Sequence, residues 1–65
     1  MAKGTVRWYD GEKGHGFLVN ETGDDIFIHW THIIDDSLET GQIVDYEEVH
    51  AKGCKQGRNV RKILN

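Results

Sequence analysis

Short runs of β-branched and aromatic residues recur about every ten residues along this chain, each closed by glycine or acidic punctuation. That spacing is too short for helices and suits a small all-β barrel or sandwich. Five strands are predicted, over Gly4 to Asp10, His15 to Asn20, Asp25 to His29, Gln42 to His50 and Gly57 to Leu64. The segments Gly11-Glu12-Lys13-Gly14, Glu21-Thr22-Gly23-Asp24 and Lys52-Gly53-Cys54-Lys55 read as turns between them. Trp30-Thr31-His32-Ile33-Ile34 reads as one short helical turn before the polar Asp35-Asp36-Ser37.

With 65 residues, the chain is expected to fold as one domain over residues 1–65. Cys54 is the single cysteine, so neither an internal disulfide nor a CxxC zinc ribbon staples the fold. No apolar run has the length of a signal peptide or a membrane span, so a cytoplasmic monomer with no membrane partner is expected. A net charge of -3 argues against a protein that coats duplex DNA, because such binding rests on counterion release by many Lys and Arg. The charge is unevenly spread: residues 14 to 51 hold nine acids and no Lys or Arg, whereas residues 52 to 65 hold five bases and no acid.

Alternation sorts the side chains into two faces. Gly16, Leu18, Ile26 and Ile28 fall on one side, with Val6, Ile33, Val44, Tyr46 and Val60 completing an aliphatic core. His15, Phe17, Phe27 and His29 fall on the other. A cluster of rings left outside a barrel marks a binding site or a liability. Strand one resists the pattern: strict alternation groups Trp8 with buried Val6, and only a bulge or strong twist turns it outward.

Lys13-Gly14-His15-Gly16-Phe17-Leu18 matches the basic-Gly-aromatic-Gly-Phe-aliphatic core of the first ribonucleoprotein motif, with His in an aromatic position. In such a motif the rings present π-faces to bases, the glycines keep the strand low for base approach, and the lysine meets a phosphate. Ile26-Phe27-Ile28-His29-Trp30 places further rings on the next strand. KGxGF alone is a weak signal; preceded by RWYD and followed by IFIHW it is a strong one.

Together these segments resemble the bacterial cold shock proteins, and the resemblance runs from end to end. Gly4 to Asp10 is similar to the family's G-x-V-K-W-F-N opening, Lys13 to Leu18 to K-G-F-G-F-I, and Asp25 to Trp30 to D-V-F-V-H-F. Gln56 with Asn59-Val60 is similar to Q-A-A-N-V. The resemblance implies a five-stranded antiparallel OB-type β-barrel that binds single-stranded RNA or DNA on its strand-two and strand-three face. It carries binding roles to Arg7, Trp8, Lys13, Phe17, Phe27, His29 and Trp30, with Tyr9 and Asp10 beside them, and it turns Trp8 outward. Four departures matter. His15 replaces a stacking Phe and makes that subsite polar and ionisable, so binding is expected to tighten as pH falls. The loop at Asp35-Asp36-Ser37 is shorter and lacks an aromatic residue. Glu48 takes an inward position of strand four, at the barrel rim, and Arg58 adds a cation beside Asn59.

The competing readings are weaker. Burial of Phe17 and Phe27 would leave their aliphatic neighbours outside. Trp30 could cap the barrel, and Arg7 and Lys13 could be ordinary solvated charges. His29 and His32, three apart, have no carboxylate or cysteine at zinc spacing, so no metal and no cofactor are expected. Asp24-Asp25 and Asp35-Asp36 sit in turns, where Asp is favoured locally, rather than forming a nuclease site. Cys54 reads as a bystander thiol. No nucleophile and base are placed together, so an enzyme is not expected. The alternative to nucleic-acid binding is a barrel that grips a peptide through its exposed rings, a use that leaves the KGxGF glycines unexplained.

Overall fold

A computed structural model describes residues 2–35 and 37–63. Met1, Asp36, Leu64 and Asn65 lie outside the described residues, among them the predicted end of strand five and the middle of the Asp35-Asp36-Ser37 loop. Five strands form a closed barrel: β1 Ala2–Asp10, β2 His15–Asn20, β3 Asp25–His29, β4 Ile43–Ala51 and β5 Cys54–Lys62, in the spatial order β1-β2-β3-β5-β4. A single 3-10 turn, η1 Trp30–His32, follows β3. The barrel is of the OB type, and one expectation needs correction: it is not purely antiparallel. β3 and β5 pair in parallel, with Phe27 opposite Gln56. Closing five strands into one sheet sets β5 between β4, its hairpin partner, and β3, which runs in the same direction.

The core is built from the alternation in the sequence. Val6, Leu18, Ile26, Ile28, Val44, Tyr46 and Val60 are fully buried, and Leu38 joins them from the β3–β4 loop. Ile33, expected inside, packs against this cluster while only partly buried. Leu38 has no strand periodicity around it. The loop brings it inward through main-chain bonds to β1, from Gly41 N–H to the Val6 carbonyl and from Val6 N–H to the Gln42 carbonyl, each 2.8 Å.

β5 starts three residues before its predicted first residue, Gly57, because the β4–β5 turn is tighter than it reads. Lys52 and Gly53 alone make it, at φ 54° and 78°, the left-handed pair that a two-residue hairpin of the strands' own twist requires. Further along the same ribbon the register shifts between Asp45 and Glu47. Asn59, at φ 52°, takes the extra residue, and its side-chain amide donates to Glu47 Oε1 at 2.8 Å. Asparagine tolerates that backbone better than most side chains.

Candidate nucleic-acid interface

The second register shift shapes the site. On β1 the pairing with β2 jumps between Val6, opposite Leu18, and Trp8, opposite Phe17. Arg7 is the extra residue of this bulge. A bulge resets the alternation, so Arg7 and Trp8 are both exposed, Tyr9 turns towards the core and Asp10 falls on the side of its register partner His15. This resolves the conflict on strand one: Trp8 is 43% exposed, with Val6 still in the core. Tyr9, by contrast, leaves the ring face and packs partly buried against the core.

The register then lays the outer side chains in rows across the strands. One row is aromatic: Trp8 beside Phe17, Phe17 beside Phe27, and Phe27 beside Gln56 of β5. The next is polar and ionisable, running Asp10, His15, His29. His15 ties the two rows together. Its ring meets Trp8 edge-on with centroids 5.5 Å apart, and lies nearly parallel to Phe27 at 6.2 Å. Phe27 is 45% exposed, whereas Phe17, between its neighbours, is half-buried. The alternative that buries Phe17 and Phe27 fails.

His29 and Trp30 extend the face past the end of β3, their rings 5.9 Å apart. Thr31 sets the imidazole: its hydroxyl lies 2.9 Å from His29 Nδ1, leaving Nε2 clear of that contact. Trp30, 60% exposed, lies over Gly14 and borders an open recess of about 370 Å³ shared with Tyr9, Gly11, Glu12 and Lys13. Tyr9 thus touches the edge of the face and not its centre.

The glycines of the motif serve the barrel more directly than they serve an approaching base. Gly14 holds φ 74°, and a Cβ there would collide with the Trp30 ring. Gly16 points inward, and a Cβ there would fall on the Trp8 carbonyl oxygen and within 2.7 Å of Tyr9 Cα. The bulged β1 backbone crosses β2 at that point, and only hydrogen leaves room for it.

Charge is distributed differently from the sequence totals. The basic last segment becomes β5, beside the acid-bearing β4: Asp45 lies opposite Arg61 and Glu47 opposite Arg58. Lys55 bonds Asp24 at 2.6 Å and reaches Glu48 at 4.0 Å. Arg58, one of the expected site residues, is exposed with an acid across the ladder. It follows Gln56 by two residues, as His29 follows Phe27. Glu48, expected inward, is exposed, and it accepts from the Tyr46 hydroxyl and the Asn20 amide, each at 3.4 Å. Burial, and secondarily Glu48, pushes the Tyr46 phenol up to about 12. Among the described residues no three His, Cys, Asp or Glu side chains converge as metal ligands.

A bulged strand carrying Trp8 against a KGHGF strand and an IFIH strand is a specific arrangement, and comparison with known proteins assigns it. The family model described as the 'Cold-shock' DNA-binding domain matches residues 2–63. The chain belongs to that family. Cold shock protein CspD of Bacillus subtilis (strain 168) is 46% identical over 66 residues, covering 97% of this chain and 100% of that protein. CspC of the same strain is also 46% identical, over 95% of this chain and 98% of its own. Cold shock protein CspB of Geobacillus stearothermophilus is 42% identical over 97% and 100%. The chain is a nucleic-acid-binding cold shock protein.

Two contributors to this cold shock surface were not read as site residues from sequence. Gln56 enters the aromatic row only through the parallel β3–β5 pair, which no period-two pattern announces. Thr31 orients His29 through a contact two residues away; the adjacency was visible, but the ring's need for a partner was not.

Proposed function

We propose that the outer face of β1, β2 and β3 holds a single strand of RNA or DNA by its bases. Trp8, His15, Phe17 and Phe27 act as stacking platforms, with His29 and Trp30 continuing the path. Arg7, Lys13 and Arg58 meet phosphates, and Asp10 and Tyr9 flank them. The chain works without catalysis, as an RNA chaperone that keeps messages single-stranded or as a transcription antiterminator acting the same way. A cytoplasmic monomer suffices for this.

The row Trp8, Phe17, Phe27 carries the reading: three rings side by side on the outside of a barrel, on strands whose Val6, Leu18, Ile26 and Ile28 are fully buried. Each base stacked on such a ring contributes roughly 1 to 3 kcal/mol. The four platforms give about 4 to 12 kcal/mol before the strand's ordering cost, enough for micromolar to nanomolar binding. The lack of a loop ring and the polar His15 place this chain low in that range. Acids elsewhere disfavour duplex backbones without touching the ring face.

The test is a tryptophan titration, since Trp8 and Trp30 both lie on the proposed path. Oligothymidine on the order of tens of micromolar should quench their emission. Unchanged emission, with the barrel intact by circular dichroism, would end the proposal.

A further inference from the structure

The polar row invites a question that stacking does not answer, because Asp10 and His15 face outward together as register partners. Such partners hold their Cβ atoms about 5 Å apart. A pyrimidine laid on the His15 ring therefore brings one edge to the Asp10 carboxylate. That carboxylate is fixed in place. Its Oδ1 accepts from the backbone N–H of Glu12 at 2.9 Å and of Lys13 at 3.1 Å, while the Asp10 carbonyl accepts from Gly14 N–H at 2.7 Å. The Lys13 N–H foremost, and the Glu12 N–H and nearby cations with it, hold the carboxyl below its usual range. The group is thus a carboxylate throughout the physiological range.

A carboxylate oxygen has room for two donors. Oδ1 has both. Among the described residues the hydrogen bonds to this carboxylate all use Oδ1, so Oδ2 retains its acceptor capacity on the residue paired with His15. An ionised carboxylate can only accept. Cytosine presents an amino donor at the position where uracil and thymine present a carbonyl oxygen. Opposite Oδ2 the first makes a charge-assisted bond, and the second sets two acceptors against each other.

We propose that Asp10 makes the subsite over His15 selective for bases bearing an exocyclic amino group at that position (cytosine, adenine) against uracil and thymine. The inference rests on the single-strand reading above and adds to it a base-edge reader built from the turn that joins β1 and β2. The aromatic row supplies affinity to any base; the polar row discriminates among them.

Hexamers of deoxycytidine and deoxyuridine, titrated at mildly alkaline pH by tryptophan emission, test it with ring size held constant. The wild-type chain should prefer the cytidine hexamer by about fivefold or more, as a hydrogen bond to a charged group warrants. Asp10→Asn keeps an oxygen for the two turn N–H groups and puts an amino donor where Oδ2 stood. Loss of the negative charge strengthens both hexamers alike, so the ratio is the readout, and it should fall to near one or invert. A hexamer of N4,N4-dimethyldeoxycytidine removes the donors from the ligand instead, leaves the protein untouched, and should lose the preference. Equal binding of the two hexamers, an unchanged ratio in Asp10→Asn, or a preference that survives dimethylation overturns the inference while the single-strand reading stands. Failure of every hexamer to quench overturns both.

Discussion

The face made by β1, β2 and β3 and the ribbon made by β4 and β5 are built on opposite rules. The first exposes Trp8 and Phe27, with Trp30 at its margin. The second exposes charges in facing pairs, Asp45 with Arg61 and Glu47 with Arg58. Apart from the bulges on β1 and β5, the strands alternate inward with outward side chains, and their inward halves form one shared core. The outward halves are where the two regions differ. A net charge of -3 therefore says little about nucleic acid, because it sums over surfaces that differ: facing acids and bases on the ribbon, and exposed rings on the other face.

The sharpest way to break the contrast is beneath the ring face. Gly16→Ala places a Cβ against the β1 backbone at Trp8 and Tyr9, where no flexible side chain can move aside. A destabilisation of about 3 kcal/mol is expected from overpacking against main chain, read as a fall in the urea midpoint together with weaker oligothymidine binding. An unchanged midpoint would mean that the β1 bulge does not depend on this glycine.

On the ribbon side, the largest pH effect belongs to Tyr46, whose phenol is pushed up to about 12 by burial and by Glu48. The folded state then keeps a proton that the unfolded chain gives up from about pH 10. Stability is full below that point and falls as pH rises towards about 12. The loss should reach about 3 kcal/mol, measured by urea unfolding at mildly and strongly alkaline pH. Tyr46→Phe should flatten the profile; a decline of equal size in that variant would assign it to other groups.

Phe27→Ala follows, acting on binding alone. Phe27 is 45% exposed and keeps both tryptophans as reporters. Losing one platform should cost about 2 kcal/mol of affinity for oligothymidine, with the urea midpoint nearly unchanged. A stability loss as large as the affinity loss would make Phe27 part of the barrel instead of the face.

How much of this was legible depended on whether local residues or distant pairing set each feature. β2 and β3 run from His15 to Asn20 and from Asp25 to His29 as read, because their alternation is unbroken and Gly14 and Gly23, both at positive φ, bound them. The bulge at Asn59 had a local trace, since asparagine suits a left-handed backbone. The bulge at Arg7 had none; arginine carries no such preference, and the cause is the crossing of β1 over Gly16. Leu38 and Gln56 were missed as members of core and face for the same reason. Their environment is supplied by partners more than twenty residues away, Val6 in one case and Phe27 in the other. Tyr9 packs against the core because one extra residue on β1 inverts the orientations after it.

The smallest effect sits where the two surfaces meet. Lys55 of β5 bonds Asp24, just before β3. That bond, with help from Thr22, lowers the Asp24 carboxyl, and the Lys55 ammonium is raised in return. The aspartate's share of stability is present above its ordinary titration range and is lost as pH falls through the lowered value. The lysine's share is present below its ordinary range and is lost as pH rises through the raised one. Both are in force at neutrality. The pair is solvent-exposed, so its contribution is small and screened by salt. Lys55→Met should lower the urea midpoint slightly at neutral pH and low salt, and the difference from wild type should disappear in strong acid, where Asp24 is protonated in both. Oligothymidine affinity should stay the same, since the pair lies off the aromatic row. A drop in affinity with Lys55→Met would instead bring this lysine into the path of the strand, and the boundary between ring face and charged ribbon would have to move past β5.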